Sequence, residues 1–70
     1  MVKEIEMCET RGKNVRVICT NGKKFVGRCA IFTQALDNEP EIASIMLEIP
    51  NISSYIEIMQ NEIKSIDILD

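Results

Sequence analysis

Apolar and polar residues alternate along residues 14–31, NVRVICTNGKKFVGRCAI, in a pattern that predicts two strands joined by a tight turn. Val15, Val17 and Cys19 fall on one face of the first strand and Arg16, Ile18 and Thr20 on the other, as a period of two requires. In the second strand Phe25, Gly27, Cys29 and Ile31 share one face, while Lys24, Val26, Arg28 and Ala30 share the opposite one. Asn21-Gly22 supplies the turn, since both residues tolerate positive φ. Loop length then decides the register. A two-residue loop would place Arg16 opposite Gly27 on the apolar face, where an unpaired charge is strongly disfavoured. A three-residue loop of Thr20, Asn21 and Gly22 sets Cys19 against Lys23, Val17 against Phe25 and Val15 against Gly27, so that the apolar faces coincide. Gly27 then marks a sharp bend in the second strand.

The rest of the pattern supplies elements to cover this hairpin. The second strand runs to Phe32 or Thr33, and residues 34–41, QALDNEPE, read as a loop because Asp37-Asn38 and Pro40 favour turns. Residues 42–49 form a third strand, with Ala43, Ile45, Leu47 and Ile49 on one face and Ser44, Met46 and Glu48 on the other. Pro50-Asn51 closes it. Residues 55–59 form a fourth strand with Ile56 and Ile58 inward, Gln60-Asn61 a short turn, and residues 63–69 a fifth strand. Ile66 and Ile68 share a face there and Ile63 is out of phase, which predicts a bulge near Lys64-Ser65. Val15, Val17, Phe25, Ile45, Leu47, Ile56, Ile58 and Ile66 are the expected core. Residues 2–10 support two readings. Val2, Ile5 and Cys8, at intervals of three, suit a short helix ended by Gly12; Ile5 and Met7 also alternate as a strand would. The helix is preferred. The expected fold is mostly β, five short strands in a strongly bent sheet that closes into a small barrel behind that helix, with residues 1–70 as one domain.

A chain of 70 residues has a small core, worth only about 3–5 kcal/mol, so staples matter. There is no His, and Cys8, Cys19 and Cys29 show no Cys-x-x-Cys spacing, which argues against zinc. An odd number of cysteines, two on predicted core faces, reads as buried thiols in a reducing compartment. That leaves self-association as the remaining support. The N-terminal stretch is too charged for a signal peptide, and no apolar run is long enough to span a bilayer, so a soluble cytoplasmic protein with no membrane partner is expected. The net charge of −3 is unevenly spread. Residues 1–33 hold seven basic residues and three acids; residues 34–70 hold Lys64 and eight acids. Arg11, Lys13, Arg16, Lys23, Lys24 and Arg28 fall in an acid-free stretch, a candidate anion-attracting patch that also reads as an ordinary solvated hairpin face.

The pattern Val15-x-Val17-x-Cys19-x-x-Gly22-x-x-Phe25-x-Gly27-x-Cys29 resembles the first signature of the Sm/LSm family of small β-barrels, and Ile58, Ile63 and Ile66 resemble the spacing of the second. The resemblance covers residues 11–69. It implies an Sm-like, SH3-like barrel with an N-terminal helix, assembly into a homo-oligomeric ring through the fourth strand of one subunit and the fifth of the next, and binding of single-stranded RNA. The family's pocket positions fall on Thr33, Asp37, Met59 and Gln60, and none of the four keeps the family residue. The resemblance therefore does not carry the usual uridine pocket onto this chain.

Little here points to catalysis. Without His the commonest general base is missing, the cysteines lie on core faces, and the three glycines form no phosphate-cradling loop. Asp37, Glu39 and Glu41 lack the spacing of a calcium loop. No enzyme, cofactor or metal is expected. Two functions follow: an Sm-like module that binds RNA as a homo-oligomer through the six basic residues, or a protein-interaction and assembly module whose basic and acidic halves pair between subunits.

Overall fold

The computed structural model describes residues 2–69. Its elements are a helix α1 (Glu4–Glu9) and strands β1 (Asn14–Cys19), β2 (Lys24–Thr33), β3 (Ser44–Ile49), β4 (Ser54–Met59) and β5 (Ile63–Ile68), with single 3-10 turns at Ala35–Asp37 and Gln60–Glu62. The strands form one antiparallel sheet in the order β4-β3-β2-β1-β5. The fold is mostly β with one short helix. Met1 and Asp70, which belong to the expected span of 1–70, lie outside the described residues.

The hairpin register is the expected one. Val17 pairs with Phe25 and Val15 with Gly27. The Cys19 N–H donates to the Lys23 carbonyl at 2.8 Å, and Gly22 takes φ +88° in the three-residue loop. Val15, Val17, Cys29, Ile45, Leu47, Ile58 and Ile63 are buried in one core, with Phe25, Ile56 and Ile66 half-buried against it.

Two bulges shape the sheet. The one near Lys64 is the expected one: Ile18 faces Ser65 and Cys19 faces Ile63, so Lys64 is the extra residue and Ile63 turns inward. The other corrects the sequence reading. Cys29 faces Leu47 but Ile31 faces Met46, so Ala30 is an extra residue in β2. One inserted residue reverses the phase, which brings Phe32 against the core and leaves Ile31 exposed.

The expected closure into a barrel is also corrected: β4 and β5 are the two edges, and no ladder joins them among the described residues. The sheet is nonetheless bent. Four residue steps from Met59 to Ile63 span at most roughly 14 Å, whereas the edges of a flat five-stranded sheet lie roughly 19 Å apart. The 3-10 turn between them bridges the two sides: the Gln60 N–H donates to the Ala43 carbonyl at 2.8 Å, and the Thr20 N–H donates to the Glu62 carbonyl at 2.9 Å. That tie anchors the end of β4 and the start of β5 through turn contacts rather than through a ladder.

Residues 4–9 are helical as preferred, but the buried face is not Val2, Ile5 and Cys8. Met7 is fully buried while Ile5 is 63% exposed and Cys8 half-buried. Val2 is buried too, but precedes the helix. Met7 and Thr10, three apart, face the sheet, and the Thr10 hydroxyl donates to the Met7 carbonyl at 2.6 Å, which satisfies it in the core. Six residues are too few for a helix to stand alone. Tertiary contacts hold it: Gln60 Nε2 donates to the Val2 carbonyl at 2.8 Å, and the Ala35 N–H donates to the Glu4 carboxylate at 3.3 Å.

Candidate binding surfaces

The six basic residues are all exposed, and the register places them in three groups. Arg16 points outward from the middle of the β1–β2 hairpin, opposite Val26, and Arg28 from its far end, opposite Asn14. Arg16 faces Asp67 of β5 and forms an ion pair at 2.9 Å; Arg28 faces Glu48 of β3 and pairs with it at 3.4 Å. The Tyr55 hydroxyl donates to the second Glu48 oxygen at 3.3 Å, so Tyr55, Glu48 and Arg28 form a row across three strands. Pairs this exposed are worth about 0–1 kcal/mol each. Their larger consequence is that two of the six cations already have anionic neighbours.

The other four lie at opposite ends of the hairpin. Lys23 and Lys24 sit at its turn, where Lys24 pairs with Ile18. Arg11 and Lys13 sit at the far end, where the Lys13 carbonyl accepts the Cys29 N–H at 2.9 Å. Five residue steps from Lys13 to Ile18 put roughly 17 Å between these ends. No single basic cluster results. The alternation places Glu48 and Asp67 on outward faces; their positions beside the two arginines follow from strand order, for which the local pattern carries no signal.

A shallow concavity of about 230 Å³ opens beside the hairpin turn. Cys19, Phe25, Ile56 and Ile58 line its floor, with Lys23, Glu57 and Glu62 around them. It is smaller than the ~300–1,000 Å³ of ordinary small-molecule sites. Burial, reinforced by the Glu62 carboxylate and opposed by Lys23, pushes the Cys19 thiol up. Burial likewise pushes Cys29 up against the opposing effects of Thr10, Arg11 and Arg28. Both thiols stay protonated at neutral pH and are poor nucleophiles there. We expect Cys19 and Cys29 to react slowly with a maleimide in the folded protein at pH 7 and quickly in denaturant; fast folded-state labelling of both would contradict their burial. Because both folded values lie above the ordinary 9.0, the stability they contribute is full below that pH and is lost as pH rises through the raised folded values.

Among the described residues no three His, Cys, Asp or Glu side chains converge to hold a metal ion, and no helix is long and apolar enough to cross a membrane. No family model, curated protein or solved structure matches the chain.

Proposed function

We propose that this chain is a non-enzymatic, Sm-like binding module that works as a homo-oligomer, with RNA as the ligand of the assembled form. The observation that carries the reading is the open sheet, whose two edges are β4 and β5. These are the strands that Sm-like rings pair between subunits, and the bent, helix-backed sheet suits a subunit whose closure is completed by its neighbours. Tyr55 on β4, and Ile68 with the adjoining Leu69 at the β5 end, are large apolar side chains left exposed at those edges. Unprotected edges of this kind favour pairing with another chain, and head-to-tail pairing closes into a ring when the rotation allows. Three free thiols suit a reducing, cytoplasmic setting.

Within such a ring Lys23 and Lys24, which have no ion pair among the described residues, would repeat around one face and supply the phosphate contacts. A second reading, assembly without nucleic acid, draws support from Arg16 and Arg28, whose partners Asp67 and Glu48 would oppose an approaching phosphate. One variant separates the two. Lys23→Glu with Lys24→Glu should leave the fold intact, since both side chains are exposed. On the RNA reading it weakens binding to an RNA pool at unchanged mass, with the log–log salt slope reduced by about 0.7 per lost contact. On the assembly reading the mass by light scattering falls instead. A monomeric parent at micromolar concentration, with no RNA affinity, would defeat both.

A further inference from the structure

A second surface lies away from the sheet edges, where α1 meets the turn after β2. Ala35 packs on the core and its N–H is held by Glu4. In a 3-10 turn the next residue is rotated by about a third of a turn, so Leu36 is driven outward and is 76% exposed. Gln34 Nε2 donates to the Asp37 carboxylate at 3.0 Å across that same turn. Beside this knob runs a groove. One part, about 300 Å³, is lined by Glu4, Ile5, Cys8, Phe32 and Gln34. The adjoining part shares Cys8, Phe32 and Gln34 and adds Arg11 and Asp37 at its rim. Arg11 has no ion pair among the described residues. An apolar knob, an apolar groove, a free cation and an anion thus occupy one patch.

We propose that this patch is a self-association face joining two copies about a two-fold axis, with Leu36 of each copy seated in the Ile5–Cys8–Phe32 groove of the other and Arg11 of each paired with Asp37 of the other. Two-fold contact is what a patch carrying both halves of its own complement permits, because each contact is made twice. A second copy covers knob, groove and both charges together; a foreign peptide in the groove would leave Leu36 in water. The face leaves β4 and β5 free, so it is separate from the edge pairing proposed above and would join rings, or single chains, face to face.

The test is sedimentation of the full chain over a concentration series, with circular dichroism to check folding. Leu36→Asp should weaken this association about 100-fold, since two leucines are lost per interface. Arg11→Asp and Asp37→Arg should each weaken it, and the double exchange should restore it. Cys8 labelling should slow as the parent associates. The proposal is overturned if Leu36→Asp matches the parent at every concentration, or if the charge exchange restores nothing. Ile68→Lys, a charge at the β5 end, separates the two surfaces. Mass lost in that variant but not in Leu36→Asp would sink this face and leave the edge reading standing, and the reverse result would do the opposite.

Discussion

Gly27→Ala is expected to destabilise the protein by about 1–3 kcal/mol, and Gly27→Val by more, through overpacking against a backbone that has nowhere to go. A Cβ at Gly27 would collide with the main-chain carbonyl of Glu48 and would sit 3.0 Å from Ile49 Cδ1. The side chain of Ile49 can rotate away. The Glu48 carbonyl cannot, because its strand is laddered to β2 on one side and β4 on the other. Added methyls also stiffen the unfolded chain, which favours folding by about 0.4–1 kcal/mol, too little to reverse the sign. In a domain of this size each kcal/mol lowers the melting midpoint by about 4–8 °C. A thermal melt by circular dichroism reads the effect directly. An unchanged midpoint in both variants would mean that β3 does not cross Gly27 as described.

Met7→Ala should cost about 2–5 kcal/mol, because Met7 is fully buried and its removal leaves a cavity between α1 and the sheet. The helix has only six residues, so it depends on that contact more than on its own propensity. Ile5→Ala, two residues away, should change the stability of the dissociated chain, measured at low concentration, by no more than about 0.5 kcal/mol, since its side chain is there largely in water. The pair is a controlled comparison: same helix, similar volume lost, opposite faces. Against a total stability of about 5 kcal/mol, the first variant loses a large share of it and the second almost none. Denaturant titration of the two variants checks it, and equal midpoints would place the helix in a different rotation.

The helix α1 forms where it was expected, but its buried face differs for an identifiable reason. Val2, Ile5 and Cys8 fit a helical spacing, but the helix starts at Glu4, leaving Val2 outside it. Met7 and Thr10 form the facing pair instead, and Thr10 was not legible as a core residue because its burial depends on a hydrogen bond to Met7. Ser44 is a parallel case. It lies on the outward face of β3 yet is buried, because Asn38 folds the connecting loop over it, with Nδ2 donating to the Ile42 carbonyl at 2.7 Å and to Ser44 Oγ at 3.1 Å, while the Ser44 hydroxyl donates to Glu57. A polar residue in an alternating strand reads as exposed unless a loop is known to cover it.

The amino-acid sequence by itself determined the local facts. Period-two alternation set the strands, the cost of burying Arg16 selected the three-residue hairpin loop, and the phase break at Ile63 marked one bulge. Each of these depends on residues within a few positions of one another. The bulge at Ala30 needed β3 to reveal it, since Ile31 and Phe32 are equally apolar and only pairing with Met46 and Ile45 decides which turns inward. Strand order belongs to the tertiary structure as well. It places Asp67 beside Arg16 and Glu48 beside Arg28, so that these two arginines are ion-paired while the other four cations lie at the two ends of the hairpin, and leaves β4 and β5 as open edges. Charge along a chain is a sum over sequence, whereas the field at a surface depends on which strands are neighbours, and that is settled only when distant segments pair.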